Sequence, residues 1–216
     1  MGRVFKMCAV LGCFTLGSFC PAQGPLGITI SVHDYADVST ATLAKAEAEA
    51  RRIFQQAGVQ TTWLNCSPKL ERQEREPAGC SLADSTRLVL KILHSAKNTR
   101  VGKDIDVLGT ALLQENRANY YAYAYYDRIQ QVTESHKVGY GLLCAVLVQE
   151  IGHLLLQSNS HSPTGIMCAR WSDEELRRIS EGIMYFNPTD SGRMHARIEQ
   201  MRLSMAKGRA FSAVMQ

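Results

Sequence analysis

Beyond its N-terminus the chain has no apolar stretch that is both long and free of charge, which excludes a transmembrane helix there. It has no large excess of one charge either. Its 24 Lys and Arg face 20 Asp and Glu, a net charge of +4, and so small an excess does not argue for a nucleic-acid or membrane-surface partner. It has no internal repeat and no low-complexity tract, so neither a solenoid nor a disordered polar segment is expected. What remains is the composition of an ordinary soluble protein. A chain of 216 residues, 45% hydrophobic and 20% charged, suits one domain with a full core.

The first residues read as a removable leader. Arg3 and Lys6 precede an apolar run over residues 7–19, about the length of a signal-peptide core and short for a bilayer. Small residues at Cys20 and Ala22 then suit cleavage after Ala22. The expected division is a signal peptide, 1–22, and one exported domain, 23–216, in a secreted or periplasmic compartment. Loss of Arg3 and Lys6 leaves 22 basic against 20 acidic residues, or +2. Three of the seven cysteines, Cys8, Cys13 and Cys20, go with the leader, and four remain for an oxidising compartment. Cys66 and Cys80 flank a polar loop and form the expected bridge. Cys144 and Cys168 are either a second pair, by elimination, or two buried thiols; spacing does not decide.

Residues 28–32 alternate as a strand does. Ser39 or Thr40 can cap a helix with Leu43, Ala46, Ala50, Ile53, Phe54 and Ala57 on one face, stopped by Gly58. Residues 59–64, 88–93, 107–111 and 120–129 are further strand candidates, with a turn at 116–119. A helix from about 140 to 157 is apolar on nearly every side and is expected at the centre of the domain. Two polar helices follow, from Ser172 or Asp173 to about 183, and from Asn187 to about 205. The order is that of an α+β domain: a mixed twisted sheet with one N-terminal helix, a buried central helix and a small helical C-terminal part.

The central helix carries the chemistry. Gln149 and His153 stand at i and i+4, on one face, with Glu150 beside the first of them. His161 follows after a turn, and Gly165-Ile166-Met167 after that. Glu150, Gly152, His153, the His161-Ser162 pair and the Ile166-Met167 turn resemble the metzincins, a clan of zinc endopeptidases that includes matrixins, astacins and archaemetzincins. The resemblance covers residues 140 to about 171; the rest agrees only in the order of its elements. It implies a zinc-dependent peptidase of metzincin-like fold, split into an N-terminal part (23–158) with the active-site helix and a C-terminal part (159–216) with the methionine turn. Zinc is the implied cofactor, with His153 and His161 as ligands, Glu150 as general base and then acid, and Met167 as the floor.

The chain departs from the clan in three ways. Gln149 stands where the first ligand is a histidine, making it a weak or lost ligand. Leu156 stands where a glycine usually ends the helix, and the step from His153 to His161 is two residues longer than usual. Asn159 is the residue expected to make a left-handed turn instead. His161, not Asn159, is the expected returning ligand, because His-Ser followed by Ile-Met keeps the clan's pattern. With cleavage after Ala22, no room is expected for a pro-segment before the first strand. Peptide or protein substrates are implied, with no nucleic acid and no membrane insertion after leader cleavage; the oligomeric state is left open. The other reading is a non-catalytic relative that holds peptides or a protein partner, and a third gives His153 and His161 a purely structural place in a dry core. His94, His136 and His195 are expected at the surface. His33-Asp34 is a solvated strand end or a supporting pair, and the tyrosines of residues 120–126 line a cleft or pack within the sheet.

Overall fold

The structure is a computed structural model and describes residues 26–66, 80, 88–95, 107–113 and 120–214, the last ten as backbone alone. The expected leader (1–22), the turn at 116–119 and most of the loop that begins after Cys66 lie outside the described residues. The described elements form an α+β fold with five strands and five helices.

Strand β1 (Leu26–Asp34) is followed by helix α1 (Thr40–Gln56) and strand β2 (Val59–Asn65), which lies parallel to β1. The crossover helix makes a parallel pair possible. Ser39 Oγ accepts the Thr42 N–H and starts α1. Leu43, Ala46, Ala50, Ile53 and Phe54 form its buried stripe. Gly58, at φ +74°, makes the left-handed turn into β2.

Strand β3 (Leu88–Leu93) pairs parallel with β1 on the other side, and β5 (Tyr120–Tyr125) pairs parallel with β3. Strand β4 (Gly109–Leu112) runs antiparallel to β5 and closes the order β2-β1-β3-β5-β4. Ile30, Val32, Leu90, Ile92, Ala122 and Ala124 are buried against α1 and the central helix. Among the described residues the tyrosine-rich strand β5 is therefore interior, and the short strand β4 is one edge of the sheet, with β2 the other.

The strand expected over residues 120–129 ends at Tyr125. Residues Tyr126–His136 are helix α2, with only Ile129 fully buried, and Lys137 ends it in the left-handed region. Helix α3 (Tyr140–Leu156) then runs through the middle of the molecule with fourteen of its seventeen residues buried. It packs against α1, β4 and β5, which is why it needs no polar face. Helix α4 (Asp173–Ser180) opens with the Ser172 N–H donating to the Glu175 carboxylate. Helix α5 (Pro188–Val214) opens with Asn187 Oδ1 accepting the Asp190 N–H and continues past the expected end near residue 205. Among the described residues no helix is long and apolar enough to cross a membrane.

Candidate functional site

The last two turns of α3 bring Gln149, Glu150 and His153 to one end of the helix. Glu150 and His153 are buried, and Gln149 is half-buried. The helix ends at Gln157, whose φ of 49° and ψ of 41° are left-handed. The expected turn residue, Asn159, does not have positive φ; the reversal comes two residues earlier. The Gln157 side-chain amide donates to the Leu154 carbonyl at 2.6 Å, which offsets part of the cost of a Cβ in this region.

That early reversal returns the chain over the helix end. The ring of His161 meets the ring of His153 edge-on, with centroids 4.9 Å apart. The two histidines come together, but not in a dry core, because His161 is exposed. His153 Nδ1 lies 2.7 Å from the Ser158 carbonyl oxygen. A carbonyl only accepts, so Nδ1 carries the proton and Nε2 keeps its lone pair. Burial lowers the pKa of His153, helped by the neighbouring His161 and opposed by the Ser158 hydrogen bond. Burial lowers that of His161 as well. Both imidazoles are neutral near pH 7.

Glu150 faces the edge strand. A Cβ placed on Gly109 of β4 would fall 2.7 Å from the Glu150 carboxyl group and 2.8 Å from the Tyr123 carbonyl. Only glycine leaves room there for the side chain between helix and sheet. Burial pushes the Glu150 carboxyl up to about 8. Gly109 went unrecognised in the sequence as part of the site. Its signal was a glycine inside a strand, which marks a close approach.

Met167 is fully buried beneath Gly152, where a Cβ would lie 2.6 Å from the methionine sulfur and 3.0 Å from Phe186. Gly165, at φ +82°, turns the chain into that position, and Ile166 N–H donates to the Tyr185 carbonyl at 2.9 Å. Polar bonds hold the rest of the return. Ser162 N–H donates to the Met167 carbonyl at 2.8 Å, and Ser162 Oγ donates to the buried Asp190 carboxylate at 2.6 Å. Asn187 Nδ2 donates to the same carboxylate oxygen at 2.8 Å.

The cysteines divide. Cys66 and Cys80 are joined in a disulfide. Cys144 and Cys168 are free thiols, so the second pairing is corrected. The Cys168 carbonyl lies against Gln149, while Cys144 is five residues, or roughly 7.5 Å, further back along the helix. Burial pushes the Cys144 thiol far up and the Cys168 thiol up as well.

The remaining histidines vary. His94 is exposed beside Asp127, and His136 is exposed near Asp173. His195 is not simply a surface residue, since its Nε2 donates to the Ala57 carbonyl at the end of α1. His33 is buried rather than a solvated strand end, and Asp34 accepts the Ala36 and Val38 N–H groups as the chain leaves β1.

Zinc places a specific demand on this arrangement. A catalytic zinc takes three protein ligands and leaves a fourth position open. Among the described residues no three His, Cys, Asp or Glu side chains converge as a metal-binding group. Two imidazoles do meet. The place of the third ligand holds Gln149, whose NH2 group donates to the Cys168 carbonyl at 2.7 Å. An amide oxygen is a neutral, weak zinc donor. The residues present do not fit a tightly held catalytic zinc.

No protein-family model matches the sequence, and no curated protein matches it. Among solved structures, the chain is similar to an archaemetzincin from Methanopyrus kandleri, with 12% identity and a TM-score of 0.48, over 82% of this chain and 98% of that one. It is similar also to metalloproteinase-II from Bacteroides fragilis, with 12% identity and a TM-score of 0.49, over 82% of this chain and 55% of that one.

Proposed function

We propose that the protein is an exported, metzincin-like scaffold that holds extended peptide segments without cutting them. The observation that carries this reading is the state of Gln149. Its amide oxygen is a neutral, weak zinc ligand and its NH2 group is held by the Cys168 carbonyl, which leaves two imidazoles where a peptidase needs three strong ligands. The peptide-holding part rests on β4. Among the described residues this strand pairs only with β5, and it passes directly beside Glu150. An extended peptide recognises such an edge by adding a strand through main-chain hydrogen bonds. Export is supported by the Cys66–Cys80 disulfide, which persists in oxidising compartments.

A second reading, a weak zinc peptidase, is favoured by one observation. The hydrogen bond from His153 Nδ1 to the Ser158 carbonyl is the support that a metal-binding histidine needs, and it leaves the Nε2 lone pair available. Metal content separates the two. The mature, oxidised protein is equilibrated with zinc, freed of excess and analysed for metal beside a Gln149→His variant. The binding reading expects little zinc in the native protein and close to one ion per chain in the variant. Near-stoichiometric zinc in the native protein, with casein hydrolysis that disappears in Glu150→Ala, would establish the peptidase instead. Peptide binding is then read by titrating a mixture of extended peptides and confirming by mass spectrometry that they stay intact.

A further inference from the structure

A metal at the end of α3 would do more than chemistry. Bound by the helix and by the returning segment, it would tie the two together, and its binding energy would become folding energy. With Gln149 in place, something else has to make that tie. We infer that the Gln149 amide is a positioning group that clamps the return segment to α3 in place of a metal cross-link. This deepens the proposed binding role and rests on the same reading of a metal-poor site.

The geometry is specific. Gln149 Nε2 reaches from the helix to the Cys168 carbonyl, 2.7 Å away. The preceding residue, Met167, is the fully buried floor, and its carbonyl accepts the Ser162 N–H at 2.8 Å. Ser162 adjoins His161. One amide on the helix thus holds the end of a loop, residues 162–168, whose start carries the exposed histidine of the pair. A carbonyl partner demands a donor. Glutamate has the same length as glutamine but at neutral pH presents only acceptors, so it would repel the carbonyl. Asparagine is one methylene short. Alanine leaves the Cys168 carbonyl without its partner. The requirement is therefore for an N–H donor at this reach, which the glutamine amide supplies without a metal.

The two free thiols report on the clamp without any assay of activity. Cys168 is half-buried inside the clamped segment, and Cys144 is fully buried in α3. The mature, disulfide-bonded protein is treated with a thiol reagent in EDTA, and labelling at each cysteine is followed by mass spectrometry. Cys168 in Gln149→Glu and Gln149→Ala is expected to label about fivefold to tenfold faster than in the native protein, the factor for loss of about one hydrogen bond from a local opening equilibrium. Cys144 is expected to stay unlabelled throughout. With zinc added, Gln149→His is expected to label Cys168 as slowly as the native protein does. The native protein should label at the same rate with EDTA or with zinc.

An unchanged Cys168 rate in Gln149→Glu would overturn the clamp. So would a parallel rise at Cys144, which would assign the bond to global stability, and so would native protection that needs zinc. Failure here is distinguishable from failure of the binding role. Slow labelling in Gln149→Glu removes the clamp while leaving the zinc content of the native protein low.

Discussion

Residues 26–156 and residues 157–187 meet along α3, and different forces hold them. The first region is a sheet covered by α1 and α3, with Ile30, Leu90, Ile92, Ala122, Leu142 and Leu147 all fully buried. Apolar burial is non-directional and tolerates changes in polar residues at its margin. The second region has fewer apolar anchors: Ile166, Met167, Leu176, Ile179, Met184 and Phe186. Directed bonds place the rest of it: His153 to Ser158, Gln149 to Cys168, and Ser162 and Asn187 to Asp190. Arg52 adds a cross-tie from α1, donating to the Tyr185 hydroxyl at 2.6 Å with its guanidinium over the same ring. In the proposed reading, the contrast explains how the surroundings of the site hold with a glutamine at position 149. The frame does not depend on the site, and the return segment depends on individual bonds that one side chain can replace.

The largest expected effect tests the apolar half. Leu147→Ala, at a position with no exposure in the middle of α3, should lower stability by about 2–5 kcal/mol in urea unfolding. An unchanged midpoint would show that α3 is not the common core of both regions.

A middling effect is expected where the regions touch. Gly152→Ala drives a Cβ into Met167 and Phe186 and should cost about 1–3 kcal/mol. Combined with Met167→Ala, which makes room, it should cost less than the sum of the two single changes. Strict additivity of thermal unfolding data would separate the floor from the helix.

The smallest effect sharpens the account of the return. Gln157→Gly relieves a left-handed Cβ but adds freedom to the unfolded chain, and should raise stability by roughly 0.5–1 kcal/mol. A fall in the melting temperature would show instead that the amide bond from Gln157 to the Leu154 carbonyl outweighs the backbone strain.

Several elements were legible because their signals are local. The capping serine, the apolar stripe and Gly58 marked α1 at both ends, and the unbroken apolar run of α3 declared a helix with no solvent face. The strand over residues 120–129 was overextended because aromatic residues continue into Tyr126 and the apolar Ile129 follows. The chain turns helical after Tyr125, leaving Ile129 as the one fully buried contact of α2. The left-handed turn was expected at Asn159 on side-chain preference, yet it falls on Gln157, directly after the last helical residue. Gly109 carries no local sign of its partner, since the space left by its missing side chain is filled by the Glu150 carboxyl group from a distant helix.

By itself, the sequence determined the kind and order of most elements, the buried character of α3 and the spacing that places Gln149 and His153 on one helical face. These follow from periodicity and capping, which act within a few residues. Only the tertiary structure decided that, among the described residues, β4 rather than β5 lies at an edge, that Cys144 and Cys168 are free thiols, and that the Gln149 NH2 group donates to the Cys168 carbonyl. Each of these joins residues distant in the chain, and their meeting depends on how the sheet and α3 bring separate segments together, which no local pattern encodes.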